Sequence, residues 1–369
     1  MKLTISKEQM MNGLQAVQNV VSTRTTLPIL SNVLLRAEGE QLQLTATDLD
    51  VTISSTVEAR VDTAGGVTLP AKRIVSIVRE LASLEMELEV DEKNCCSIRA
   101  GSSFYKINGL PAEEFPAIPV FAENRKITLE QEKLKSLLSK TSFAISTDET
   151  RFVLNGIFFS LKDHKITMVA TDGRRLALAD EEVDVSPTSE GECIVPTKAI
   201  NELSRLLQTK GMVEVRLTDN QVAFNLPDEK GKMVVIISKL IEGNYPNYRQ
   251  VIPAEAKERI ALGREELLQA LRRAEIMTSE KSNSVKLAFG KNSLSITANT
   301  PEVGEARENI AINYKGKEMA IAFNPGYLMD PLKALPNDEV YMELIDELSP
   351  GVLKINGPFL YVLMPMRMS

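Results

Sequence analysis

The sequence predicts an α+β protein in which one domain is used three times, each copy holding two helices and antiparallel sheets. Three observations carry that reading. Leu44-Thr45-Ala46-Thr47-Asp48 returns as Met168-Val169-Ala170-Thr171-Asp172 and, weaker, as Ile296-Thr297-Ala298-Asn299-Thr300, so the central alanines lie 124 and then 128 residues apart. A second anchor keeps the interval: Leu69-Pro70-Ala71-Lys72, Val195-Pro196-Thr197-Lys198 and Phe323-Asn324-Pro325-Gly326. A third marks each start, as Leu3-Thr4-Ile5, Ile127-Thr128-Leu129 and Ile260-Ala261-Leu262. The interval far exceeds the roughly 20–50 residues of solenoid repeats, so each copy is long enough to be a domain. The expected limits are 1–120, 126–250 and 258–369.

Each copy reads in the same order. A short strand leads into an amphipathic helix carrying Met10 and Leu14 in the first copy, Leu134 and Leu138 in the second, and Leu267 and Leu271 in the third. That i, i+4 spacing puts each pair on one helical face. Alternating strands follow, such as Gln41-Leu42-Gln43-Leu44-Thr45-Ala46, whose period of two suits a sheet with one buried face. A strand then meets a Pro-containing turn and a second helix, expected over 72–81 and 198–207. Pro331 falls inside the corresponding helix of the third copy. It is expected to kink or shorten that helix, because proline lacks the backbone donor and crowds the preceding turn. Further strands end at Phe115-Pro116 and Tyr245-Pro246, and helices gathered on one side of such sheets make an α+β domain. The polar, Pro-containing stretches 116–126 and 247–258 read as links between copies.

Composition narrows the function. With 43% hydrophobic and 25% charged residues over 369, the chain has the make-up of an ordinary globular protein. No apolar run reaches the ~18 residues of a membrane span, and the N-terminus lacks the apolar core of a signal peptide. Cys95, Cys96 and Cys193 cannot form a disulfide framework, so a cytoplasmic location is expected. The single histidine, His164, sits in the polar turn Leu161-Lys162-Asp163-His164-Lys165 and reads as a solvated loop residue. No zinc-ligand spacing, dinucleotide fingerprint or P-loop occurs. No catalytic residue, metal or cofactor is expected.

The charges are sorted. The formal net charge is −7, which argues against a polyanion as partner. Yet 133–140 carries three lysines and no acid, 72–81 carries Lys72, Arg73 and Arg79 against Glu80 alone, and 198–210 carries Lys198, Arg205 and Lys210 against Glu202 alone. Acids gather elsewhere, at Glu85, Glu87, Glu89, Asp91 and Glu92, and at Asp180, Glu181, Glu182 and Asp184. Basic helices facing one polyanion would bind phosphates without reading sequence. No aromatic interleaving suited to stacking single strands accompanies them, so duplex is favoured.

The repeat, together with Thr171-Asp172-Gly173-Arg174-Arg175-Leu176-Ala177, Arg24-Thr25-Thr26-Leu27-Pro28-Ile29-Leu30 and the ending Tyr361-Val362-Leu363-Met364-Pro365-Met366-Arg367, resembles the bacterial sliding clamps, the beta subunits of DNA polymerase III. The resemblance covers the whole chain. It implies three DNA-clamp domains and a head-to-tail homodimer closing into a six-domain ring, with helices lining the hole and sheets outside. Rotation closes such a heterologous contact into a ring. The ring would encircle double-stranded DNA and tether the replicative polymerase, as a processivity subunit of the nucleotidyltransferase holoenzyme without an active site of its own.

The resemblance also implies residues. A pocket for short Gln/Leu/Phe peptides of polymerases, clamp loader and repair proteins matches Leu154, Thr171, Gly173, Arg174, Arg175, Leu176, Pro246, Val251, Asn324, Tyr327, Val362, Met364, Pro365, Met366 and Arg367. Flexible, polarizable methionines suit such varied apolar anchors; without the resemblance, Met364 and Met366 read as core of a last strand. DNA positions match Arg24, Arg73, Arg79, Arg151, Lys198 and Arg205. Tyr105 and Ile107 match one side of the subunit interface, and Ile276 and Met277 the other. The chain departs from the family pattern at Val153, beside Phe152, and at Ser282 and Gln250, which is expected to alter DNA contact and pocket selectivity. Asp172-Gly173 also reads as a hairpin turn. Two alternatives accompany this reading: a duplicate clamp that protects against a clamp-directed antibiotic, and a metal-dependent transferase using Asp48 and Asp50.

Overall fold

Each repeat opens with a strand running directly into a helix, in a computed structural model that describes residues 1–21, 27–119, 121, 125–227, 233–280 and 282–367. Strand Lys2–Ser6 leads into α1 (Lys7–Val17), and Ser6 ends the strand by accepting a hydrogen bond from the Gln9 amide at 3.1 Å. A side-chain oxygen there partners an amide that the first helical turn leaves bare. The second helix of the first repeat, α2 (Ala71–Glu80), buries Ala71, Ile74, Val75 and Val78. Strand Arg125–Glu130 leads into α3 (Gln131–Thr141), followed later by α4 (Thr197–Leu206). Strand Glu258–Gly263 leads into α5 (Arg264–Glu275), followed by α6 (Pro325–Ala334). Met10, Leu14, Leu134, Leu138, Leu267 and Leu271 are all buried, as their spacing predicts.

The first residue of each opening helix secures the far end of the second helix of its own repeat. Lys7 Nζ donates to the carbonyls of Arg79 (2.9 Å) and Leu81 (2.5 Å) at the end of α2. Gln131 accepts from the Gln208 amide (2.9 Å) and donates to Met212 O (3.2 Å), just beyond α4, while Lys135 donates to Leu207 O at 3.2 Å. Arg264 donates to Leu332 O (3.0 Å) in α6 and to Asn337 O (2.7 Å) after it. The last carbonyls of a helix have no partner within it, and a cation there also meets the negative end of its dipole.

Pro331 does not shorten α6, which is ten residues long like α2 and α4. The carbonyl it leaves without a backbone donor is that of Tyr327, four residues earlier. The Tyr361 hydroxyl donates to that carbonyl at 2.8 Å. The helix runs on because a side chain supplies the missing bond.

The chain forms two compact units. The first comprises Met1–Lys135, Val183–Gly191 and Lys198–Leu240. It holds a five-stranded sheet ordered Arg60–Thr63, Lys2–Ser6, Glu85–Val90, Cys95–Ala100 and Ser103–Asn108. It also holds an eight-stranded sheet ordered Arg125–Glu130, Met212–Leu217, Gln221–Pro227, Met233–Lys239, Val51–Glu58, Gln41–Thr47, Asn32–Glu38 and Gly65–Pro70. Its central join is antiparallel, with Ile53 opposite Ile236. Strand Gln41–Thr47 alternates only at its start: Thr45, Ala46 and Thr47 are buried in succession. Their hydroxyls stay partnered, Thr45 with Ser54 at 2.9 Å and Thr47 with Thr52 at 2.8 Å, as burial demands.

The second unit comprises Ser136–Glu182, Glu192–Thr197 and Ile241–Ser369. Its eight-stranded sheet runs Gly191–Pro196, Gly156–Lys162, Lys165–Thr171, Arg175–Glu182, Phe359–Leu363, Gly351–Lys354, Glu339–Leu344 and Glu258–Gly263. A four-stranded sheet runs Gly304–Ala311, Ser293–Thr300, Val285–Gly290 and Met319–Phe323. In each large sheet, four strands of the second repeat continue into four strands of another repeat, so the second repeat is shared between the units. No helix among the described residues is long and apolar enough to cross a membrane.

Candidate functional site

The turn between Lys165–Thr171 and Arg175–Glu182 is built by its own motif. Asp172 Oδ1 accepts from the Arg174 and Arg175 amides at 2.9 and 3.1 Å, and Gly173 takes φ +84°, a left-handed angle that favours glycine. The repeated Asp48 does the same, accepting from the Asp50 and Val51 amides at 3.0 and 2.7 Å. The recurrent Thr-Asp pair is therefore a turn cap. Asp48 also pairs with Lys198, and Asp50 with Lys239 at 3.1 Å. Both carboxylates of the transferase alternative are committed to turn and ion pairs. No group of three or more metal-ligating side chains suits a metal ion among the described residues. Asp163 and His164 both have positive φ, placing His164 in the tip of its hairpin.

Beside the 172–175 turn, the strand Phe359–Leu363 pairs Val362 with Leu176 and Leu363 with Arg175. Leu176, Val362, Phe158, Val169 and Ile194 form a buried floor, against which Val153, Tyr245, Tyr248 and Ile252 pack half-buried. Tyr245 stacks on Phe158 at 5.1 Å, and burial pushes its phenol pKa up. Past the strand the chain changes character: Met364 is 46% and Met366 38% exposed, although Tyr361, Val362 and Leu363 are buried. Backbone bonds hold both, Met364 N to Arg174 O (3.0 Å) and Met366 N to Ala322 O (2.7 Å). The core reading of these two methionines fails.

Arg175 is the brace of this region. Its guanidinium donates to Asp172 Oδ2 (3.0 Å), Asp330 Oδ2 (2.5 Å) and Phe143 O (2.6 Å), and lies 4.2 Å from the Tyr327 ring centroid. Burial works against its charge, but Asp330, the Tyr361 phenol and Asp172 together outweigh that and hold its pKa above the arginine norm. Asn324 caps α6 by accepting from the Tyr327 amide at 3.1 Å. Arg174, Met364, Met366 and Arg367 face solvent around this brace.

The structure thus brings Thr171, Gly173, Arg174, Arg175, Leu176, Tyr327, Val362 and Met364 together. Leu154 is buried at the end of the short turn Glu149–Leu154, and Pro365 is half-buried. Pro246 and Val251 are exposed, while their neighbours Tyr245, Tyr248 and Ile252 pack on the floor. Those two tyrosines, three apart in Tyr245-Pro246-Asn247-Tyr248, were the sequence signal for this wall. Arg151, expected at DNA, pairs with Asp148 at 3.1 Å, and a Cβ on Gly173 would stand 2.6 Å from its Nη1. It lies at the pocket turn.

The remaining DNA candidates separate. Arg24 lies outside the described residues. Lys72, Arg73 and Arg79 share the exposed face of α2 and form no ion pair among the described residues. Arg205 is tied inward, donating to Gln15 O (3.0 Å), Ala16 O (2.8 Å) and Glu202. The reason lies in the repeat: Ser76, Glu202 and Asp330 occupy equivalent helix positions, three residues before Arg79, Arg205 and Lys333. Glu202 holds Arg205 and Asp330 holds Lys333 at 3.8 Å, whereas Ser76 has no charge to hold Arg79.

At the expected interface, Tyr105 is exposed on Ser103–Asn108, the terminal strand of its sheet. Ile107 is only 8% exposed and faces its own core; the exposed apolar residue beside Tyr105 is Phe104, at 58%. Ile276 is 73% exposed at the end of α5, and Met277 Cε packs by Gly304, the first residue of another terminal strand.

A threefold α+β repeat whose helix α2 turns Lys72, Arg73 and Arg79 outward, with a braced apolar site beside the 172–175 turn, has the features of the DNA-clamp class. The chain belongs to the DNA polymerase III beta subunit family, the non-catalytic sliding clamps that give replicative synthesis its processivity. The family's N-terminal, central and C-terminal domain descriptions match residues 1–119, 128–247 and 249–367. The beta sliding clamp of Chlamydia muridarum is 34% identical over 368 residues, covering 100% of this chain and 99% of that protein. The clamp from Bartonella birtlesii, solved bound to griselimycin, superposes with a TM-score of 0.94 at 36% identity over 100% of both chains. The Bacillus subtilis sliding clamp gives a TM-score of 0.94 at 31% identity, again over 100% of both.

Proposed function

We propose that two copies of this chain close head to tail around duplex DNA in the cytoplasm, as a ring of six clamp domains with limits near 1–120, 126–250 and 258–369. The apolar terminal strand Ser103–Asn108, with Phe104 and Tyr105, meets the terminal strand Gly304–Ala311 flanked by Ile276 and Met277. Edge strands left with unpaired backbone groups favour such sheet-to-sheet joining. Lys72, Arg73 and Arg79 provide the main phosphate attraction, with no base readout. Retention on circular duplex and loss when that duplex is cut would support the ring; equal retention on both forms would refute it.

The braced site takes short peptides bearing Gln, Leu and Phe from the polymerase, the clamp loader and repair proteins. The observation that carries this is the exposure of Met364 and Met366 immediately after a buried strand, since methionine is suited to repacking around varied apolar anchors. Deleting 364–369 should abolish binding of such a peptide while the dimer persists in solution mass measurements. Unchanged peptide affinity would refute the assignment.

A further inference from the structure

We infer that Asp330 is a positioning residue of the peptide site: its carboxylate fixes Arg175, and Arg175 fixes the ring of Tyr327. The inference rests on the peptide-site reading above. Asp330 lies on α6, outside the strand and turn that supply most of the site. Its Oδ2 accepts from Arg175 Nη1 at 2.5 Å. The other two arms of the guanidinium are already placed, Nε on Asp172 and Nη2 on Phe143 O. With its fork engaged on three sides, Arg175 holds its guanidinium carbon over the Tyr327 ring, 4.2 Å from the centroid.

Removing one carboxylate leaves a largely buried Nη1 unpaired and frees the plane to turn, and Tyr327 loses the surface that orients it. The equivalent acid in α4, Glu202, pairs with Arg205 of its own helix, as Asp330 also does with Lys333 of α6. Only the third repeat's acid reaches the 172–175 turn, where the peptide site is.

The test is a binding cycle with a fluorescent synthetic peptide bearing Gln, Leu and Phe, on the full-length protein. Asp330→Ala, which removes the acceptor altogether, should weaken binding about tenfold, the scale of one lost positioned contact. Asp330→Glu should restore most of it. Arg175→Lys, which keeps the charge but not the plane, should weaken it similarly. In a Tyr327→Ala background, Asp330→Ala should add less than about twofold, because coupled residues are non-additive. Dimer mass and retention on circular DNA should stay at wild-type values. If Tyr327→Ala weakens binding but Asp330→Ala does not, or if the two losses simply multiply, the inference is overturned and the site reading stands. If Tyr327→Ala leaves affinity unchanged, both fall.

Discussion

The hydroxyl of Tyr361 donates to the carbonyl of Tyr327 at 2.8 Å, the one carbonyl of α6 that Pro331 strips of its backbone donor. Two features that look unrelated in sequence are one device. The proline is tolerated because a tyrosine on the neighbouring strand Phe359–Leu363 completes the helix. In the same stroke the strand that leads into Met364 is fastened to the helix that carries Tyr327.

Tyr361→Phe should therefore cost about 1–3 kcal/mol of stability, the penalty for a buried polar group left unpaired. Pro331→Ala restores a backbone amide able to serve the same carbonyl. In urea denaturation the double variant should be more stable than the sum of the single effects predicts, while additivity would show that the two residues act separately.

The same phenol sets an alkaline limit. Burial raises the pKa of Tyr361, so the folded state keeps a proton that the unfolded chain releases near pH ~10. The unfolded state then binds fewer protons, and stability falls as pH rises above that value, while below it the contribution is complete. Tyr245 is raised for the same reason and shares the effect. Urea midpoints should hold through neutral pH and drop beyond about pH 10, less steeply in Tyr361→Phe.

The helices were legible because an apolar pair four residues apart, Met10 with Leu14 or Leu134 with Leu138, shares one helical face at the same place in each repeat. The turn at Asp172 was legible because an Asx side chain closes it locally. The joining of repeats was not, since Ile53 opposite Ile236 is a long-range pairing without a local signal. Alternation misleads at Thr45–Thr47, where both faces are covered and hydroxyls pair across strands. Charge counting makes Lys198 and Arg205 look available, but their partners Asp48, Gln15 and Ala16 come from the first repeat. The exposure of Met364 was equally hidden, because an apolar residue after an apolar strand reads as more core.

Arg79 and Arg205 should part company when each is changed to alanine. Arg79→Ala removes a surface cation that forms no ion pair among the described residues, so the salt slope of duplex binding should fall by about one, with little change in stability. Arg205→Ala leaves two carbonyls at the end of α1 and the carboxylate of Glu202 without their partner. It should cost about 1–3 kcal/mol in urea denaturation and shift the salt slope less. Equal loss of slope in both variants would return Arg205 to the DNA surface.

Asp48→Asn separates the two duties of that side chain. The amide oxygen can still accept from the Asp50 and Val51 amides, so the turn should persist. The charge that holds Lys198 is gone, and Lys198 is already half exposed, so its ammonium becomes free to meet phosphate. An exposed partner in an ion pair contributes little to stability, about 0–1 kcal/mol, so the thermal midpoint should barely move. The salt slope of duplex binding should instead steepen by about one contact. A double variant, Asp48→Asn with Lys198→Ala, should return the slope to the wild-type value. If Asp48→Asn alone leaves the slope unchanged, Lys198 does not face the DNA, and its only task is to join the first two repeats.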